Sequence, residues 1–326
     1  MLYLNSGKGP RQVIADEPHA PEEAERSAVW LDLLNPTDEE RSLAERATGL
    51  RVPAQADLAE IESSSRLSTE KGAIYLSTPM TYRGSDGLSL TSPVGFVLSR
   101  DHLLTVRFAD MPVFDSFAGH FGGDKPTSVG AFLGLLEGIV DRLADVLEHV
   151  GSDLDGISRR VFRPDKDKPR NSQVIDTQLR ATLRAVGRAG ERLSYIRDSL
   201  VGTQRIVIFT HETGQEWIPK DTLHRFRTIR QDIASLTDYD VQLSNKVQFL
   251  LDATLGFINI EQNNGIKILT VVSVVGVPPT LVASIYGMNF KWIPELQWEY
   301  GYFYGLAVIL ASALLPLWWF KRRGWI

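Results

Sequence analysis

Thr280-Leu281-Val282-Ala283-Ser284-Ile285-Tyr286-Gly287-Met288-Asn289-Phe290 is the stretch from which the rest of the chain is read. Its first part closes a long uncharged apolar segment. Gly287-Met288-Asn289 breaks that segment, and a second apolar segment follows soon after. No charged residue stands between Lys267 and Lys291, a gap of about 23 residues, or between Glu299 and Lys321, a gap of about 21. Each gap exceeds the roughly 20 residues with which a helix crosses a ~30 Å hydrocarbon core. Two such runs in tandem predict transmembrane helices over 267–286 and 303–320, rather than a buried hairpin of a soluble core. Neither run reads as a signal peptide, because both lie far from Met1, and Met1 to Gln12 has no apolar h-region.

The chain has 326 residues, enough for two domains with real cores. Its charge is unevenly divided. Residues 263–326 hold five Lys/Arg and two Asp/Glu, +3 of the formal −5, which leaves −8 on residues 1–262. An acidic soluble part does not suit nucleic acid as a partner and is compatible with gathering cations. There is no cysteine, which excludes disulfides, thiolate metal sites and cysteine nucleophiles. Lys321-Arg322-Arg323 directly follows the second run, so the C-terminus is expected in the cytoplasm. Two spans return the chain to its starting side. Residues 1–266 are therefore expected in the cytoplasm as well, with loop 287–302, carrying Glu295 and Glu299, outside.

Residues 1–215 read as a mixed α/β domain ending in a helical hairpin. Ala28 to Leu33 alternates like a strand, and Thr37 with Glu40 three residues on forms a capping-box signature. Ala73 to Leu76, Gly95 to Leu98 and Leu103 to Val106 read as strands, with Ser99 to His102 as a hairpin turn. His102, His120 and His149 have no ligand spacing and read as structural or exposed. Helical periodicity begins near Thr127 and is carried by Phe132, Leu136, Ile139, Leu143, Leu147 and Val150. A second helix is expected from Ser172 to Leu200, after a charged, proline-bearing connection at 162–170. His211-Glu212-Thr213-Gly214 lacks the second His of a zinc motif and reads as a loop.

No proline occurs between Pro219 and Pro278. If helical throughout, that stretch is about 87 Å long at 1.5 Å per residue, too long for a compact domain. It predicts a stalk, 216–266, running without a break into the first span; two helices joined near Gly256 or Gly265 is the alternative. Asn263, Ile266, Thr270, Ser273, Val277, Thr280 and Ser284 follow one another at three and four, forming one stripe. Ile268, Val272 and Val275 face away from it. A stripe of hydroxyls with an Asn at its foot is better placed against other helices or water than against lipid. One helix cannot enclose a path, so the stripe predicts an oligomer, with polar rings alternating with apolar rings at Ile266, Leu269 and Val277. No carboxylate lies inside either span, which argues against a proton relay and against direct coordination of a dehydrated ion. Neutral oxygens suit Mg²⁺, which keeps its waters, and a ring of Asn289 would meet it at the mouth. Gly287 is expected to permit the tight break there, and the apolar rings to close the path by dewetting.

Tyr286-Gly287-Met288-Asn289-Phe290, then Ile293-Pro294-Glu295-Leu296, Gly301-Tyr302 and Phe320-Lys321-Arg322-Arg323-Gly324-Trp325 resemble the CorA magnesium and cobalt transport proteins. The likeness is strongest from Asn259 to the end; before it, only the layout agrees. The resemblance implies an α+β membrane protein: a homopentameric funnel whose stalk becomes the pore-lining span, with a peripheral second span. It implies that Asn289, Thr280, Val277, Leu269 or Thr270, and Asn263 line the path, with Ser273 also on the pore side and Asn289, Thr280 and Asn263 meeting the hydrated ion. Ile266 and Val277 stand where some members have Met, and Lys321, Arg322 and Arg323 form a basic ring. It also implies closure by cytoplasmic Mg²⁺ bound to acidic residues between protomers. Where some members carry an Asp on the stalk, this chain has Thr228, with Asp232 one turn on. Asp232 and Asp238 are the regulatory candidates, with Asp240 and Asp252 behind them.

The implied function is influx of Mg²⁺, with Co²⁺ and Ni²⁺ alongside it, across the bacterial cytoplasmic membrane. The membrane potential would drive it, with no ATP motif and no organic cofactor. The alternatives are a zinc transporter of the same superfamily and a non-conducting membrane anchor. Met288 argues against the first, since zinc-type relatives tend to carry Gly-Val-Asn there. The polar stripe argues against the second. No nucleophile–base constellation supports an enzyme.

Overall fold

The computed structural model describes residues 1–5, 10–13, 28–60, 62, 66–85, 87–122, 126–162, 172–289 and 293–325. The connection expected at 162–170 lies outside them beyond Phe162, as do Phe290 and Lys291. The chain divides into two compact units, 1–164 with 184–250, and 165–183 with 251–326.

The first unit is built on a seven-stranded sheet of order β2-β1-β3-β7-β6-β5-β4. Its strands are β1 (Leu2–Asn5), β2 (Pro10–Val13), β3 (Trp30–Leu34), β4 (Leu67–Glu70), β5 (Ala73–Arg83), β6 (Ser89–Leu98) and β7 (Leu103–Arg107). Only β3 and β7 pair in parallel; the other neighbours are antiparallel. The β6–β7 hairpin turns where expected: the Ser99 N–H donates to the His102 carbonyl at 2.9 Å, and the His102 N–H to Ser99 Oγ at 3.0 Å. The His102 ring binds the Ala28 carbonyl at 2.9 Å and so is structural.

Two short helices follow β3, α1 (Asp38–Thr48) and α2 (Gln55–Ala59). The first opens with the capping box read from Thr37 and Glu40: each accepts from the other's backbone N–H, at 3.3 and 2.9 Å. Then come α3 (Pro112–His120) and α4 (Ser128–Phe162). Thr127 caps α4, its hydroxyl accepting from the Gly130 N–H at 3.0 Å. Phe132, Leu136, Ile139, Leu143, Leu147 and Val150 are all buried, so the heptad-like spacing of α4 is its core face.

Helix α5 (Ser172–Thr213) runs past the end expected at Leu200 and absorbs His211, Glu212 and Thr213. These three are helical, not a loop. The turn comes at Gly214, whose N–H still reaches the Thr210 carbonyl at 2.9 Å. The absence of a zinc motif says nothing about helicity; no proline lies between Leu200 and Gly214, and Gly202 is accommodated within the helix. Ser199 on α5 accepts from the Thr81 N–H at 3.1 Å, tying the helix to the sheet. Helix α6 (Leu223–Tyr286) is then continuous for 64 residues, about 96 Å at 1.5 Å per residue. Neither Gly256 nor Gly265 interrupts it. It contains Pro278 and Pro279, which do not end it. After a 3₁₀ turn at Pro294–Gln297, α7 (Gly301–Arg322) completes the chain. The apolar part of α6 and the whole of α7 are long and apolar enough to cross a membrane.

Candidate ion-conduction site

The stripe read from the sequence is carried on one unbroken helix. On α6, Asn263, Ile266, Leu269, Thr270, Ser273, Val277, Thr280 and Ser284 span an arc of about 120° at 3.6 residues per turn. All but half-buried Thr270 are exposed. Every hydroxyl of the stripe donates to a carbonyl one turn back. Thr270 bonds Ile266 at 2.8 Å, Ser273 bonds Leu269 at 2.9 Å, Thr280 bonds Gly276 at 2.9 Å and Ser284 bonds Thr280 at 2.7 Å. With its proton committed to the backbone, each hydroxyl offers the outside only lone pairs. The waters of a hydrated cation turn their hydrogens outward, so a face of acceptors suits them.

Pro278 and Pro279 have no N–H, so the Val274 and Val275 carbonyls lose their helical donors one turn below Thr280. Two more neutral oxygens are thereby freed midway along the span. The helix ends at Tyr286. The Gly287 N–H still bonds Ala283 at 3.0 Å, and the Met288 N–H reaches only to Ile285, at 3.2 Å. Gly287 is not among the residues with positive φ. The expected conformational need for glycine is therefore absent. A Cβ there would meet the Ala283 carbonyl at 3.3 Å, which is close but not an overlap. Gly287, Met288 and Asn289 are all exposed; beyond them Glu299 is exposed and Glu295 half-buried.

Of the acidic candidates on α6, Asp240 is fully buried and held by Arg197 of α5, Nε to Oδ2 at 2.7 Å. Burial pushes its carboxyl up despite that partner. It therefore ties α5 to α6 rather than facing a cation. Asp232 and Asp238 are exposed; six residues apart, they point about 120° from each other. Asp232 lies near a group missed in the sequence. Asp141 on α4 is pushed above the usual carboxylate range by burial and by the charges of Asp145, Asp232 and Glu137. Glu137 is itself held by Arg225, in two bonds of 2.8 and 2.7 Å. Glu137, Asp141 and Asp145 recur every fourth residue on α4, a signal that was legible but unused. Among the described residues, no cluster of three or more His, Asp or Glu forms a ready metal site. His120 binds the Ser116 carbonyl at 2.8 Å, and His149 is exposed beside Asp153.

A continuous helix that carries an acceptor stripe through an apolar span, followed by a short loop and a second span, defines a class of two-span membrane transport proteins. Residues 25–322 match the family described as CorA-like Mg²⁺ transporter protein. The magnesium transport protein CorA of Haemophilus influenzae (strain Rd) is 33% identical over 303 residues, covering 92% of this chain and 93% of the relative. That of Escherichia coli K12 is 33% identical over 303 residues, covering 92% of each. The complete CorA magnesium transporter from Methanocaldococcus jannaschii superposes with a TM-score of 0.77 at 18% identity, covering 100% of this chain and 99% of that one. Full-length CmaX superposes at 0.66 and 17% identity, covering 98% and 96%. The chain belongs to the CorA-like Mg²⁺ transporter family, a family of transporters rather than enzymes.

Proposed function

We propose that the protein is a homopentameric channel for Mg²⁺ in the bacterial cytoplasmic membrane, with both termini in the cytoplasm. The stripe of α6 faces the fivefold axis. Asn289 forms the outer ring, and Thr280, Ser273, Thr270 and Asn263 follow inward. Ile266, Leu269 and Val277 form the apolar rings that close the path. The ion is the cargo. It passes with waters in place, hydrogen-bonded to lone pairs of neutral side chains and carbonyls. Inward movement of a divalent ion through 100 mV releases about 4.6 kcal/mol, so no ATP is needed. Co²⁺ and Ni²⁺ are octahedral hydrated ions of similar build and share the path.

The observation that carries this reading is the run of hydroxyls whose protons are all spent on the backbone. Such a lining repels no cation and holds none tightly. We assign cytoplasmic sensing of Mg²⁺ to Asp232 with Asp141, where crowded carboxylates are relieved by a divalent ion; Asp238 lies on another face. The test is uptake by liposomes containing the protein and an internal Mg²⁺ dye, with Co²⁺, Ni²⁺ and Zn²⁺ compared. Uptake should be electrogenic, and Asn289→Ala should abolish it with the oligomer intact. Uptake by neither protein would remove the transport reading, while uptake by both would remove only the Asn289 ring.

A further inference from the structure

The far end of α7, where the resemblance implies a basic ring, holds an arrangement to which the proposed path above assigns no step. Gly324 sits in the left-handed region at φ 68° and turns the chain back. The Gly324 N–H bonds the Lys321 carbonyl at 3.2 Å, and the Trp325 N–H bonds Phe320 at 3.1 Å. This bond pair is the Schellman ending, and it brings its usual apolar contact. Trp325 stacks on Phe320 at 5.3 Å, and Phe320 is only 2% exposed. The basic tail is thus a fixed turn, not a frayed end. Within it, the Arg322 guanidinium lies 4.4 Å from the Trp318 ring centre and that of Arg323 lies 4.6 Å from Trp319. Trp318 is 54% and Trp319 45% exposed. None of the ion pairs among the described residues involves Lys321, Arg322 or Arg323.

We propose that Arg322 and Arg323, set on Trp318 and Trp319 and joined by the neighbouring charge of Lys321, form a binding site for the phosphate of an anionic phospholipid. A guanidinium stacked on a ring has its flat face covered and its edge donors free. Phosphate oxygens take those donors in pairs. The stacking also orders both arginines beforehand, so less side-chain freedom is lost on binding. Depth supports lipid over free phosphate. Exposed Tyr302 and Tyr304 lie 14 to 17 residues before Trp318 and Trp319. At 1.5 Å per residue the two aromatic belts are about 21–26 Å apart, somewhat less than the ~30 Å hydrocarbon core between the two interfaces where Trp and Tyr gather. The indoles then sit at headgroup level, with acyl chains against their exposed edges. This assignment requires α7 to cross the membrane and is independent of which ion is carried.

The test uses the full-length protein in detergent, given phosphatidylglycerol or phosphatidylcholine, with bound lipid counted by native mass spectrometry. Phosphatidylglycerol should be retained roughly tenfold better than phosphatidylcholine. The Arg322→Gln, Arg323→Gln double variant should lose about 25-fold in retention, about fivefold per charge, with its elution volume unchanged. Millimolar inorganic phosphate should not displace the lipid. Equal retention of the two lipids, full retention by the double variant, or displacement by inorganic phosphate would each overturn the assignment. Should the double variant fail to assemble, Arg322→Lys decides. It keeps the charge and loses the planar fork, so retention should fall severalfold, and unchanged retention would overturn the site.

Discussion

At the residue scale, the most constrained group is far from the membrane. Trp30, Asp32, Thr105 and Arg107 share one face of the parallel β3–β7 pair. Trp30 Nε1 donates to Thr105 Oγ1 at 3.0 Å, Thr105 donates to Asp32 at 2.6 Å, and Arg107 Nη2 reaches Asp32 Oδ2 at 2.8 Å. Asp32 is 4% and Arg107 1% exposed. Arg107→Met strands a buried carboxylate and should cost about 3–5 kcal/mol, read as a lower unfolding temperature of the solubilised protein. Restoring neutrality with Asp32→Asn in the same chain should recover part of that loss; no recovery would mean that packing, not charge, sets the cost. Gly287 poses the opposite question, since its φ demands no glycine and a Cβ would only stand close to the Ala283 carbonyl, at 3.3 Å. Gly287→Ala should assemble normally yet conduct poorly, because the added methyl would narrow the ring beside Asn289. Normal flux would show that the position needs no glycine at all.

At the scale of the element, α6 is decided by what its prolines do. A proline in a helix interior removes a bond and costs about 3 kcal/mol or more, yet Pro278 and Pro279 are both retained within α6. In the proposed pore they supply a soft joint just below Thr280, with the Val274 and Val275 carbonyls left without their helical donors. Pro279→Ala returns a donor to the Val275 carbonyl and stiffens the span. Mg²⁺ flux should then change in rate or in its inhibition by internal Mg²⁺, while the order of preference among Mg²⁺, Co²⁺ and Zn²⁺ stays the same. An altered preference with unaltered gating would instead make those carbonyls part of the selectivity.

At the scale of the whole molecule, the acidic surface between α4 and α6 becomes a sensor only if charge repulsion is left unresolved in the empty state. Burial is the first cause of the raised pKa of Asp141, and the charges of Asp145, Asp232 and Glu137 add that unresolved repulsion to it. A carboxylate whose folded pKa exceeds its unfolded value stabilises the fold most below the unfolded value, and loses that contribution as pH rises through the folded one. At neutral pH Asp141 is therefore a liability without a cation. Asp141→Asn should raise the unfolding temperature slightly in chelator at pH 7, and the gain should vanish near pH 4. The same variant should need more internal Mg²⁺ for inhibition. Unchanged inhibition would return Asp141 and Asp232 to the solvated surface.

Much of this was legible in the chain itself, because the relevant signals are local. Two uncharged runs, a long proline-free stretch and a stripe at three and four are set by helix geometry and the thickness of a bilayer. Neither burial nor distant partners can alter them. The capping box at Thr37 and the turn at Ser99 are likewise local bonds. Where the spacing rule was silent, at His211 to Thr213, the reading failed, because a helix ends where a breaker stands rather than where a motif is missing. Tertiary structure alone decided which charges meet. Asp240 and Asp238 look alike in sequence, yet one is buried on Arg197 of another helix and the other is free to solvent. Asp232 acquires Asp141 as a neighbour across more than ninety residues. At Gly287 to Asn289 the sequence determined that the helix must stop. The folded backbone then removed the conformational reason for glycine, leaving only the space its missing side chain keeps open.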